Sequence, residues 1–84
     1  MTKSVFSSRY RCLTEALVSA RRDAGLTQRE LADRLSKPQS YVSKYERSER
    51  RLDIIEFLAI IKALDGDVAD VTAIIERISG RDLD

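Results

Sequence analysis

The sequence contains no histidine and a single cysteine, Cys12. One thiol cannot form an internal disulfide, and a lone cysteine without histidine cannot build a zinc site. We therefore expect no metal and no cofactor, and we predict that Cys12 is a small buried apolar residue. Because the sequence also shows no paired carboxylates and no activated cysteine, an enzyme is the least supported class of function.

Long apolar runs and strand-like alternation are missing as well. No stretch approaches the ~20 residues of a membrane-spanning helix, and the start does not resemble a signal peptide, so we expect a cytoplasmic protein without a membrane segment. A chain of 84 residues with a hydrophobic fraction of 43% suits one small domain over residues 1–84, with tails at 1–7 and 81–84. Helix signals recur throughout and predict an all-α fold.

The net charge of the chain is small, but the charged residues are distributed unevenly along it. Residues 1–51 hold 12 Lys/Arg against 6 Asp/Glu, whereas residues 52–84 hold 3 against 8, and the net charge of the chain is +1. A basic half favours a polyanionic partner, although charges that merely solvate helix faces would give the same composition.

The first two helices are bounded by clear local signals. A glycine, Gly25, is expected to end the first helix, and Leu26 follows it as the apolar residue after a glycine cap. Thr27 and Glu30 form a capping box that starts a second helix, Gln28 to Leu35. One apolar stripe of the first helix is expected to face the core and consists of Tyr10, Leu13, Leu17, Ala20 and Ala24.

A third helix is predicted from about Gln39 to Arg47, after the break at Ser36-Lys37-Pro38. At ~100° per residue its residues separate into two arcs. Val42 and Tyr45 are expected to point to the core. Tyr41 belongs to the same arc but stands at the edge of the polar face. The polar arc contains Gln39, Ser40, Ser43, Lys44 and Arg47.

Two further helices complete the chain. Asp53 and Glu56 form a second capping box, and the helix from Ile54 to Leu64 is apolar almost all round, which predicts burial on most sides. Asp67 can cap a fifth helix that ends at Gly80. Its apolar stripe fits either internal core or a subunit interface and comprises Val68, Val71, Ile74, Ile75 and Ile78.

The segment GLTQRELADRLSKPQSYVSKYERSERR strongly resembles the phage-repressor/Cro-like helix-turn-helix family, often called XRE. The resemblance covers about residues 13 to 64 in helix order and spacing. It implies a compact five-helix bundle with the helix-turn-helix at about 27–47, in which the third helix enters the major groove of duplex DNA. The positions that match the family pattern are Gly25, Leu26, Thr27, Gln28, Leu31, Ala32, Gln39, Val42, Ser43 and Glu46.

The resemblance also implies which residues contact DNA. Gln39 and Ser40 match positions from which family members reach base edges, and Ser43 and Lys44 lie on the same face. Arg50 and Arg51 have a plainer alternative, which is pairing with Glu46 or Glu49. The residues expected at phosphates are Gln28, Tyr41, Arg47, Arg50 and Arg51.

Three other expectations follow from the comparison with the family pattern. Ser36 and Ser48 stand where the family often has glycine, so each turn either bends differently or carries the ~1 kcal/mol cost of a left-handed serine. Pro38 leaves the third helix without an assigned side-chain cap. Arg21 and Glu46 are expected to form a partly buried ion pair between the first and third helices.

The leading hypothesis is a dimeric repressor that reads an inverted repeat in double-stranded DNA. We expect a homodimer because one helix in one half-site reads few bases, and we expect helices four and five to form its interface. The alternative is an antitoxin-like interaction module whose main partner is another protein, such as a toxin; RNA polymerase is a further possible partner. The interface residues expected on the fifth helix are Val71, Ile74, Ile75 and Ile78.

Overall fold

A computed structural model describes residues 8–79, without the side chains of Ser8, Val68 and Ser79. Over this range the chain is all-α, as predicted, and the predictions for the tails and for Gly80 lie outside it. Helices α2 and α3 agree with the predicted positions to within one residue. The five helices are α1 (Ser8–Asp23), α2 (Gln28–Leu35), α3 (Gln39–Glu46), α4 (Ile54–Ala63) and α5 (Val68–Ser79).

Helix α1 cannot continue past Gly25, because this residue adopts a left-handed conformation with φ of 75°. Its amide donates to the Arg22 carbonyl at 2.9 Å, and the Leu26 amide donates to the Arg21 carbonyl at 3.1 Å. These two hydrogen bonds form a Schellman motif, which satisfies carbonyls that the helix end would otherwise leave unpaired. The predicted glycine cap is confirmed.

Capping boxes start α2 and α4, as predicted. At α2 the Thr27 hydroxyl accepts from the Glu30 amide, and the Glu30 carboxylate accepts from the Thr27 amide. Asp53 and Glu56 repeat this exchange at α4. Helix α3 has Pro38 at its N-cap, and no side chain caps its start.

Both serines adopt the left-handed backbone conformation, despite the free-energy cost of that conformation for a residue with a side chain. Ser36 has φ of 57° and Ser48 has φ of 60°, so both turns keep the geometry for which glycine is better suited. The Lys37 amide donates to the Ala32 carbonyl at 3.0 Å, and the Glu49 amide donates to the Lys44 carbonyl at 2.8 Å. Both turns therefore close as Schellman motifs with a serine in the strained position.

We expect Ser36→Gly to stabilise the fold by about 0.5–1 kcal/mol, because glycine removes the left-handed strain and only part of the gain is lost to a freer unfolded chain. Ser48→Gly is the matched control. The Ser48 hydroxyl lies 3.2 Å from the Thr14 hydroxyl and glycine would delete this contact, so its gain should be smaller. Urea unfolding of the three proteins measures the difference. A Ser36→Gly variant no more stable than wild type would show that the serine is unstrained.

The core lies where α1, α2, α3 and α4 meet, and α5 packs against α1. Helix α3 contributes its inner arc, since Val42 and Tyr45 are both fully buried. This confirms the arc assigned to the core, and the burial of Cys12 confirms the prediction for that residue. The other large, fully buried side chains are Leu17, Leu31 and Ile60.

Helix α4 is more exposed than its composition predicts, and that prediction was wrong. One face is buried through Phe57, Ile60, Ile61 and Leu64. The other face leaves Ile54, Ile55 and Leu58 exposed at 65%, 70% and 47%. Neighbouring helices cover only one side of α4, and the helix wheel cannot show this because both sides are apolar.

The apolar stripe on α5 is mostly internal core. Ile74 is 7% exposed, and Val71 and Ile78 are partly buried against the core cluster. Ile75 points outward, at 51% exposure, while the side chain of Val68 lies outside the described residues. Ile74 therefore belongs to the core, whereas a subunit interface through Val71, Ile75 and Ile78 stays a prediction, because these three side chains keep part of their surface exposed.

Candidate nucleic-acid interface

The outward face of α3 carries the side chains predicted to read bases. Gln39, Ser40 and Lys44 are exposed, and Ser43 is half-buried beside them. Their amide, hydroxyl and ammonium groups can donate to the acceptor atoms that purines display in the major groove. The structure therefore brings all four side chains to one surface, while the opposite arc of the helix is anchored in the core.

Gln39 is linked to Gln28, which the sequence assigned to a phosphate. The Gln39 amide nitrogen donates to the Gln28 amide oxygen at 3.3 Å, and the Gln28 amide nitrogen donates to Glu46 Oε1 at 2.9 Å. Each glutamine is the first residue of its helix, and the helix-turn-helix brings the two helix starts together. Gln28 therefore positions Gln39, a role that the local sequence pattern did not reveal.

A buried ion pair holds Glu46, the acceptor at the end of this chain of hydrogen bonds. Arg21 Nε donates to Glu46 Oε2 at 2.7 Å and Arg21 Nη2 donates to Oε1 at 3.1 Å. The two side chains are only 10% and 5% exposed, and Arg21 Nη1 also donates to the Leu26 carbonyl at 2.7 Å. The hydrogen bond with Glu46 raises the pKa of Arg21. The predicted link between α1 and the end of α3 is confirmed.

Arg47 lies at the exposed end of α3 and is held in place by two neighbours. Its Nε and Nη2 atoms each donate to the Glu49 carboxylate at 3.0 Å, and its Nη1 atom donates to the Ser43 hydroxyl. The hydrogen bond from Arg47 lowers the pKa of Glu49. Any phosphate that contacts Arg47 must therefore compete with an adjacent carboxylate.

Arg50 joins α3 to α4 through a tyrosine and a glutamate. Its two terminal nitrogens donate to Glu56 at 3.1 and 2.7 Å, and its guanidinium carbon lies 4.8 Å from the centre of the Tyr41 ring. The ammonium of Lys37 lies 5.3 Å from the same ring. Pairing with Glu46 or Glu49, the plainer alternative for this arginine, does not occur, because those carboxylates bind Arg21 and Arg47.

Arg51 is placed by the first helix. Its guanidinium carbon lies 4.7 Å from the centre of the Tyr10 ring. The Tyr10 hydroxyl accepts from the Leu52 amide at 3.0 Å and donates to the Arg50 carbonyl at 3.1 Å. One buried tyrosine thus fixes the backbone of the loop that presents both arginines next to α3.

We expect Glu56 to make stability depend on acid pH. Hydrogen bonds from Arg50, and then from the Asp53 amide, lower the pKa of Glu56 to about 2 from its ordinary value of 4.5. A lowered folded-state pKa means that the contribution is complete above pH 4.5 and is lost as pH falls toward 2. Because the pair is partly exposed and screened, its size is on the order of 1 kcal/mol.

The measurement is the free energy of unfolding of wild type and Glu56→Gln between pH 7 and pH 2.5. Glutamine preserves the capping box, so the variant removes only the charge. Wild type should be more stable at pH 7, and its advantage should shrink below pH ~4.5. An advantage that stays constant with pH would show that the ion pair does not contribute.

The described residues offer no other obvious chemistry. They contain no cluster of His, Cys, Asp and Glu that could hold a metal ion. None of their helices is long and apolar enough to cross a membrane. What the surface offers is hydrogen-bond donors on α3, flanked by cations on the loop that follows it.

Comparison with known proteins agrees with this geometry. Residues 17–71 match the family model for helix-turn-helix proteins. An XRE-family like protein from Pseudomonas syringae pv. tomato is similar at 44% identity and a TM-score of 0.75, over 86% of this chain and 84% of that one. The clp gene regulator ClgR from C. glutamicum is similar at 29% identity and a TM-score of 0.73, over 93% and 96%.

No match is found among curated proteins. The match to the family model nevertheless covers most of the chain and both helices of the motif. The buried Arg21–Glu46 pair and the linked glutamines show how the motif is held together in this chain. The chain belongs to the XRE-type helix-turn-helix family of transcription regulators.

Proposed function

We propose that this chain is a sequence-specific double-stranded DNA-binding repressor that acts as a homodimer on an inverted repeat. Helix α3 lies in the major groove and its outward side chains read base edges. The protein acts in the cytoplasm and without catalysis. A bound dimer occupies its DNA site and thereby blocks or contacts RNA polymerase.

One observation carries this proposal, which is the chain of hydrogen bonds that ties the start of the polar face of α3 to the buried Arg21–Glu46 pair. Gln39 is oriented by Gln28, which is held by a glutamate that is itself buried and paired. Such side chains lose little conformational freedom on binding, so their hydrogen bonds contribute more to affinity. Ser40 and Lys44 remain exposed on the same face for further contacts.

The flanking side chains support contacts with the phosphate backbone. Arg51 lies on the Tyr10 ring, and Arg47 and Arg50 are pre-positioned by glutamates that a phosphate must displace. Gln28 at the start of α2 and Tyr41 within α3 are both half-buried. In our proposal these five residues set the register on the duplex, and the α3 face supplies the sequence preference.

We expect Gln39→Ala and Lys44→Ala each to weaken binding to the preferred duplex by about 1–3 kcal/mol, with the fold unchanged. Both side chains are exposed, so removing them costs little stability. Arg77→Ala, an exposed residue on α5, is the control and should bind like wild type. Duplexes selected from a random pool provide the ligand, and fluorescence anisotropy measures the affinity.

Selection also tests symmetry, since a dimeric reader should recover an inverted repeat with half-sites about 34 Å apart. The affinity for random duplex should fall steeply with salt concentration, because phosphate contacts release counterions. If both α3 variants bind the selected duplex as tightly as wild type, α3 is not the reading helix. Binding that shows no salt dependence would instead favour a protein partner.

A further inference from the structure

An exposed ion pair at the end of α3 occupies one of the cations that a phosphate would need. Arg47 Nε and Nη2 each donate to the Glu49 carboxylate at 3.0 Å, which is the two-point geometry in which a guanidinium also binds a phosphate. The two side chains are 56% and 55% exposed, so a duplex can reach them. The Glu49 carboxylate therefore takes the place at Arg47 that a DNA phosphate would take.

The backbone holds Glu49 in position for this contact. Ser48 adopts φ of 60° and turns the chain after α3, and the Glu49 amide donates to the Lys44 carbonyl at 2.8 Å. Because the turn fixes the backbone of Glu49, only its side chain has to be ordered to reach Arg47. The effective concentration of this carboxylate at Arg47 is therefore high and independent of any partner.

The same arginine also engages the face of α3 that is proposed to read bases. Arg47 Nη1 donates to the hydroxyl of Ser43, one of the four proposed base-reading side chains. While Glu49 holds Arg47, one acceptor position of this hydroxyl is filled from within the chain. Movement of Arg47 to a phosphate would consequently release a base-reading group at the same time.

The neighbouring pair of Arg50 and Glu56 is less free to exchange. Glu56 also accepts from the Asp53 amide in the capping box of α4, and the side chains of the pair are only 38% and 23% exposed. In the part of the chain that the structure describes, the Glu49 carboxylate accepts from Arg47 alone. Glu49 is thus the carboxylate that can leave its arginine without disturbing the fold.

We propose that Glu49 is an intramolecular competitor of DNA phosphates, which binds Arg47 in the free protein and lowers the affinity of the chain for duplex DNA. This inference rests on the proposed function. Binding exchanges the carboxylate for a phosphate, so the attraction lost in the pair is subtracted from the attraction gained at the duplex. Exposed ion pairs are weak, which allows the exchange, whereas a buried pair such as Arg21–Glu46 stays closed.

The exchange also changes the response of binding to salt. A lone cation that neutralises a phosphate of duplex DNA releases about 0.9 counterions. Arg47 starts paired, and the carboxylate that it leaves attracts a cation from solution, so the net release at this position is small. Glu49→Gln removes the carboxylate, and we expect its log–log salt slope to be steeper than that of wild type by about 0.9.

The test is a double-mutant cycle on a random duplex, measured by fluorescence anisotropy. Glu49→Gln should bind about 3- to 10-fold more tightly than wild type at low salt, because Arg47 no longer has to leave a carboxylate. Arg47→Ala should weaken binding about 2-fold in wild type and about 10-fold in Glu49→Gln. Both positions are exposed, and circular dichroism verifies that every variant folds.

Glu76→Gln is the matched control, because it makes the same change in net charge at an exposed position of α5, which packs against α1. It should keep the affinity and the salt slope of wild type. A gain as large as that of Glu49→Gln would show that net charge alone sets the affinity and would overturn the proposal. An unchanged salt slope in Glu49→Gln would do the same.

The cycle also distinguishes failure of this inference from failure of the proposed function. If neither wild type nor Glu49→Gln binds duplex DNA, both fail. If both bind with a steep salt dependence and Arg47→Ala weakens binding by the same factor in each, the two charges act independently. DNA binding then stands, and only the competitor role of Glu49 fails.

Discussion

Replacing Glu46 by alanine is expected to destabilise the folded chain by about 3–5 kcal/mol, because it leaves the Arg21 guanidinium buried without its counter-charge. The two side chains are 10% and 5% exposed and share two hydrogen bonds, so little water can replace the lost carboxylate. Gln28 would lose its acceptor as well. A loss of this size is a large share of the stability of a small domain, and urea unfolding measures it directly.

The control uses the same residue type in an exposed pair. Glu49 binds Arg47 through two hydrogen bonds, but the side chains are 56% and 55% exposed, and solvent replaces the interaction when it is removed. Glu49→Ala should therefore leave the unfolding midpoint unchanged. If both glutamate variants lose the same free energy of unfolding, burial does not explain the contribution of the Arg21–Glu46 pair to stability.

The same network gives Glu46→Ala a second effect. Without its link to Glu46, Gln28 no longer orients Gln39 at the start of α3. A fraction of the variant that remains folded should therefore bind the selected duplex more weakly than wild type. The buried pair thus couples the stability of the fold to the position of Gln39 at the start of α3.

Ile74→Asp is expected to unfold the domain, at a cost above about 4 kcal/mol, because a carboxylate cannot be solvated in the core. Ile74 is 7% exposed, whereas its neighbour Ile75 is 51% exposed. Ile75→Asp should consequently keep the helical signal and a cooperative thermal transition. Circular dichroism during heating compares the two variants, which differ only by the position of the charge.

A folded, monomeric Ile74→Asp would contradict this expectation. It would mean that the α5 stripe is a separable subunit interface, as the sequence pattern alone permitted. The position of α5 against α1 argues against this, because Ile74 is already buried within one chain.

The sequence by itself determined the local structure. Helix boundaries depend on interactions between residues three to five positions apart, so the capping boxes of Thr27 with Glu30 and of Asp53 with Glu56 follow from the order of residues alone.

The two arcs of α3 were equally accessible from the sequence, because the helical period alone separates Gln39 and Lys44 from Val42. The match to the family pattern added the pairing of Arg21 with Glu46, which no local period predicts because the two residues lie 25 positions apart.

Only the tertiary structure decided which neighbours each polar side chain meets. Arg50 has several carboxylates within a few residues, and the path of the loop selects Glu56. Gln28 and Gln39 meet because α2 and α3 start side by side, and the spacing of residues within either helix does not encode this.

The tertiary structure also decided which side of α4 is covered. This helix is apolar on both sides, so its sequence favours neither side for burial. The placement of the other helices buries Ile60 and leaves Ile55 exposed to solvent. A helix wheel gives the direction of each side chain, but it does not show which neighbouring helix lies in that direction.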